Sequence, residues 1–106
     1  KITELINAVL QIVRIYFKIE FDEKSISYER FLTHLKFFAA RVFDNTIYQD
    51  SMQEIYKVLI EQNEYVYSGV RKIVEYIEKQ YSYKLTIDER LYLLIHIKRI
   101  LDEQSE

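Results

Sequence analysis

TIDERLYLLIHIKRI, from Thr86 to Ile100, is the stretch on which the fold class turns. Thr86 is followed three residues on by Glu89, the spacing of a capping box. The threonine hydroxyl can accept from the third helical amide while the glutamate reaches back to the cap amide. Asp88 adds negative charge to the first turn, where the helix dipole favours it. From Leu91 to Ile97 the run is then apolar almost all round. Such a helix is central to its own domain, or is covered by a partner as well.

Working back along the chain, Val66, Val70, Ile73 and Ile77 recur with the helical period and predict a helix ending near Tyr81. EQNE is a short break. Before it, Ser51 and Glu54 form a second capping box, opening a helix whose apolar face is Met52, Ile55, Tyr56 and Leu59. Further back, Ser27 is the expected N-cap of a helix carrying Phe31, Leu35, Phe38 and Val42. His34, Phe37 and Arg41 lie on its flank, and Asp44-Asn45-Thr46 supplies the stop. The first helix starts after Thr3 as N-cap, buries Ile6, Val9, Val13 and Tyr16, and ends near Ile19. EFDEKSIS then reads as a loop.

Composition agrees with helices throughout. The chain has no Pro and one Gly, Gly69. Gly costs about 1 kcal/mol and Pro about 3 kcal/mol in a helix interior. A sheet protein of 106 residues would need more turn residues. The expectation is an all-α, compact five-helix bundle. No Gly-, Pro- or Ser-rich linker interrupts it, so residues 1–106 are read as a single domain. The chain opens on Lys1 rather than Met, which suggests a piece of a longer protein.

Fifteen basic residues are interleaved with seventeen acidic ones, for a net charge of −2. No cluster resembles a phosphate-backbone footprint, so this segment is not expected to contact nucleic acid directly. The absence of Cys excludes disulfides and thiolate metal sites and fits a reducing compartment. No apolar run approaches the ~18 residues of a membrane span. The serines fall at caps and loops rather than in a nucleophile turn. The two histidines have no metal-ligand spacing on one helix, and a single glycine cannot build a phosphate loop. Neither enzyme turnover nor a cofactor or metal is expected.

The two imidazoles, His34 and His96, are what remains. With an ordinary pKa of about 6.5, each has a nucleophilic nitrogen near neutral pH and can accept a phosphoryl group. That group would bring about −1.5 to −2 charges, costly on a packed apolar surface and favourable near arginine. Arg99 lies three residues after His96, on the same helical face. Arg41 lies seven residues after His34, two turns away, too far for direct contact but directed to line one groove. The plain alternative is that both rings are satisfied core or interface residues, with Arg41 and Arg99 as rim charges.

SYERFLTHLKFFAARVF, followed after a long gap by GVRKIVEYIEKQYSYKLTIDERLYLLIHIKRI, resembles the PTS regulation domain (PRD) of bacterial transcriptional antiterminators of the BglG and LicT type. The similarity runs from about Leu5 to Ile100. The first motif is a histidine after Arg-Phe-Leu-Thr and before Leu-Lys-Phe-Phe. The second is an acidic helix start leading through an apolar run into His-Ile-x-Arg.

Such domains occur as tandem copies behind an RNA-binding domain. Thr33 stands where first copies commonly carry an acidic residue before the histidine, so this chain is similar to a second copy. The resemblance implies a dimerising five-helix bundle in the cytoplasm. It implies phosphorylation at His34 and His96 by the phosphocarrier HPr, with a sugar-specific permease as another donor. Control of dimerisation and of the attached RNA-binding domain would follow. Two alternatives stay open: a PRD from a DNA-binding activator, and a plain helical dimerisation module with structural histidines.

Overall fold

In a computed structural model that describes residues 1–45 and 53–105, the chain forms five α-helices, in line with the all-α expectation. They are α1 (Ile2–Phe17), α2 (Ile26–Asp44), α3 (Gln53–Gln62), α4 (Glu64–Tyr81) and α5 (Ile87–Gln104). The first, second, fourth and fifth form a ring, with α1 against α2 and α4, and α5 against α2 and α4. Helix α3 packs across α4 and α5. Its Tyr56 hydroxyl hydrogen-bonds the Tyr67 hydroxyl of α4, which also accepts from Arg90 of α5.

The predicted stripes supply most of the core. Phe31, Leu35, Phe38 and Val42 of α2 are buried, as are Val66, Val70, Ile73 and Ile77 of α4. On α5, Leu91, Leu93, Leu94, Ile97 and Ile100 are buried. Burial differs from the predicted stripes on α1 and α3. Helix α1 buries Leu5 and Phe17 along with Ile6, Val9 and Val13, leaving Tyr16 half-buried. Its hydroxyl instead donates to Ser68 Oγ at 2.6 Å, keeping the polar tip at a wet rim. On α3, Ile55 faces out while Tyr56 and Leu59 pack inward.

The helix starts follow side-chain chemistry. The Thr86 hydroxyl accepts from Glu89 N at 3.2 Å and Glu89 Oε1 accepts from Thr86 N at 3.0 Å, so the predicted capping box forms. Helix α2 is capped by Ser25, which accepts from Tyr28 N at 3.0 Å. The expected cap, Ser27, is instead the second residue of the helix and is buried. Asp22 explains the shift. Its Oδ1 accepts from Lys24 N and its carbonyl from Ser25 N, a turn that delivers Ser25 at the helix entrance. Thr3 likewise lies inside α1, behind Lys1 as N-cap. The expected cap at Ser51, Met52 and the Thr46 part of the predicted stop lie outside the described residues.

The helix ends use no glycine. Lys18, Asn45 and Ser82 close α1, α2 and α4 in the left-handed conformation, each with its N–H bonded back into the last turn. Gly69 is needed elsewhere: a Cβ there would overlap the Phe17 ring and come within 3.2 Å of Tyr16. It lets α1 and α4 approach closely.

Candidate functional site

Helices α2 and α5 are antiparallel, and polar contacts recur along the seam between them. The Ser27 hydroxyl donates to the Glu103 carboxylate. The His34 and His96 rings face each other with centroids 4.8 Å apart. Arg41 Nε donates to Glu89 Oε2 at 3.0 Å. Successive contacts are seven residues apart on both helices, or two turns and about 10 Å of rise. The histidines form the middle rung of this ladder.

Apolar neighbours hold the two rings. Phe31 stacks beside His96 at 6.2 Å, and Tyr92 lies 4.4 Å from the His34 centroid. Both imidazoles are half-buried. One nitrogen of each, His34 Nε2 and His96 Nδ1, is fully buried without a hydrogen-bond partner.

The surroundings hold both rings neutral. Burial is the chief cause of a lowered pKa at each. His34 is lowered further by the Arg41 charge. His96 falls to about 4, through burial first and then through His34, Arg99 and Arg30. At pH 7 each ring therefore keeps an unprotonated nitrogen, the state a nucleophile requires.

Phe31, His34, Leu35, Phe38, Arg41, Glu89, Leu93 and His96 line a cavity of about 10 Å³. That is room for one water molecule and no more. A phosphoryl group on a ring nitrogen cannot be received there with the helices packed as they are.

All four residues expected from the sequence converge on this seam. His34 and His96 touch. Arg41 reaches the shared cavity because helix side chains lean towards the N-terminus. It is paired with Glu89, whose side chain is 1 % exposed and also accepts from the Tyr83 hydroxyl at 2.7 Å. Arg99 is exposed on α5, with its charge acting on His96. Sequence reading missed Arg30, which acts on His96 across the seam. Its place four residues before His34 was an available signal. It also missed the further role of Glu89, whose helix-capping position gave no sign of a partner 48 residues away. Among the described residues no group of three or more His, Cys, Asp or Glu could hold a metal ion. No helix among them is long and apolar enough to cross a membrane.

Comparison with known proteins gives the family. Residues 7–100 match the family model described as the PRD domain. The chain is 44 % identical over 102 residues to the transcription antiterminator LicT of Bacillus subtilis (strain 168), covering 96 % of this chain and 37 % of that protein. It is 35 % identical over 106 residues to the beta-glucoside operon antiterminator of Dickeya chrysanthemi, covering 100 % of this chain and 38 % of that one. The chain thus spans somewhat over a third of the length of these curated relatives. With the match covering nearly its whole length and two antiterminators among its homologues, this chain belongs to the PRD domain family.

Proposed function

We propose that this chain is the regulatory part of a transcriptional antiterminator, switched by phosphorylation of His34 and His96 by HPr. The observation that carries the proposal is the apposition of two neutral imidazoles, 4.8 Å apart, in a cleft lined by Arg41 and flanked by Arg99. In the transfer, the lone pair of a neutral ring nitrogen forms a new N–P bond as the N–P bond of the donor breaks. The proton released by the acceptor ring passes to the departing donor imidazole. Arg99, and Arg41 once freed from Glu89, hold the phosphoryl oxygens by charge-assisted hydrogen bonds.

The small cavity explains how the signal leaves the site. A dianionic group cannot remain between Phe31, Leu35 and Leu93 in a space of about 10 Å³. Phosphorylation therefore drives the α2–α5 surface into another packing, and a second subunit is the natural recipient. Phe37, three residues after His34, is 63 % exposed and supplies an apolar contact beside the site. The attached RNA-binding domain of the parent then follows the dimer state. The chain acts as the second of two tandem copies, in the cytoplasm with the phosphotransferase proteins, and turns over no substrate of its own.

Incubation with enzyme I, HPr and phosphoenolpyruvate, followed by mass spectrometry without acid, should find phosphate on His34 and His96. Replacing both by Ala should abolish it. Absence of phosphate on both rings would leave the plain dimerisation module as the better reading.

A further inference from the structure

The third rung of the seam has a property that phosphate chemistry would exploit. Glu89 is buried and uses both oxygens. Oε1 accepts from Thr86 N at 3.0 Å, closing the first turn of α5. Oε2 accepts from Arg41 Nε at 3.0 Å and from the Tyr83 hydroxyl at 2.7 Å. One carboxylate thus balances the Arg41 charge, ties down the segment before α5 and caps the helix that carries His96. Arg41 and Glu89 also line the same cavity as His34 and His96.

A phosphoryl group on either ring places a second anion before the same guanidinium. Phosphate carries more charge than a carboxylate and offers three acceptor oxygens to the planar fork of arginine. Arg41 is 21 % exposed and can swing, whereas Glu89, at 1 %, cannot follow it into water without moving backbone. A buried carboxylate that loses its cation is strongly destabilised where it lies.

We propose that Glu89 is the residue through which a phosphoryl group on the histidine pair acts on the fold: the phosphate draws Arg41 away, and the unbalanced carboxylate releases the cap of α5 and the Tyr83 segment. The inference rests on the phosphorylation reading above and adds to it the element that moves. It makes Glu89 a positioning residue, acting through Arg41, and the start of α5 the first part of the chain to loosen.

Amide hydrogen exchange on the whole chain, before and after phosphorylation by enzyme I, HPr and phosphoenolpyruvate, reads this directly. The phosphate is counted on the same samples by mass spectrometry. In the unsubstituted chain, phosphorylation should speed exchange over residues 84–92 by about tenfold or more, reporting local opening. Glu89→Gln keeps a capping acceptor without the charge. In that variant these amides should stay slow in both states, and the phosphohistidine should last longer because Arg41 is no longer shared.

Arg41→Gln should do the opposite, giving fast exchange over the same residues before any phosphate is added and no further change after it. This second variant keeps the test decisive if Glu89→Gln does not fold. Phosphate on the histidines with residues 84–92 unchanged, or either variant responding like the parent, would overturn the inference alone. Absence of phosphate would overturn the phosphorylation reading, and the inference with it.

Discussion

The seam between α1 and α4 and the seam between α2 and α5 belong to the same ring of helices and are built on opposite principles. Between α1 and α4 the contact is steric: Phe17 lies against Gly69 with no room for a Cβ and meets the edge of Tyr65 at 5.3 Å. Its polar contact between side chains, Tyr16 to Ser68, stays half-exposed at the rim. Between α2 and α5, polar pairs recur every two turns, and the middle pair leaves two buried nitrogens unpartnered. The first seam is specified by shape and has one way to close. The second carries groups whose charge can change, which suits it to two packings of similar energy.

Stability measurements can break this contrast. Phe17→Ala should have the largest effect, about 3–4 kcal/mol by urea denaturation, because it opens a cavity where α1 and α4 are closest. Gly69→Ala sets two terms against each other. Alanine gains about 1 kcal/mol in helix propensity. Overpacking against Phe17 costs about 1–3 kcal/mol, so a net loss of about 1 kcal/mol is expected. Combining Gly69→Ala with Phe17→Leu should recover part of that loss, since the two side chains meet.

On the other seam, His96→Leu removes a buried unpaired nitrogen and supplies apolar volume. Stability should change by less than about 1 kcal/mol, towards greater stability, and phosphorylation at this position is lost. A destabilisation as large as that of Phe17→Ala would erase the distinction between the seams.

The pH dependence reads the same seam by its charge. Both histidines have lowered pKa values in the folded chain, His96 at about 4, against 6.5 when unfolded. Between these values the unfolded state binds more protons. The contribution is therefore fully present above pH 6.5 and is lost as pH falls towards and through about 4. His96→Gln should show a shallower decline than the parent across that window in parallel denaturation series.

Much of this contrast was legible in the sequence, and the illegible part has physical causes. The period of Val66, Val70, Ile73 and Ile77 and the Thr86–Glu89 box are local signals, and both hold in the structure. The helix ends near Ile19, at Asp44-Asn45 and near Tyr81 were legible too, although Lys18, Asn45 and Ser82 close them in the left-handed conformation without glycine. Ser27 was the expected cap of α2, and the Asp22 turn puts Ser25 there instead. Of the site, the sequence showed that His34 and His96 were unusual and that Arg41 and Arg99 followed them. It did not show that the rings meet, or that Arg41 pairs with Glu89. Those contacts join residues 62 and 48 positions apart through the antiparallel register of α2 and α5.

The central claim is that the middle rung of this seam holds two neutral imidazoles poised to act as nucleophiles. Long-range proton–nitrogen spectra of the uniformly nitrogen-15-labelled chain, followed from pH 3 to pH 8, test it most directly. Both rings should be neutral at pH 7, His34 should titrate below 6.5, and His96 should have its midpoint near 4. A midpoint at or above 6.5 for either ring would mean a solvated or carboxylate-paired histidine and would contradict the account.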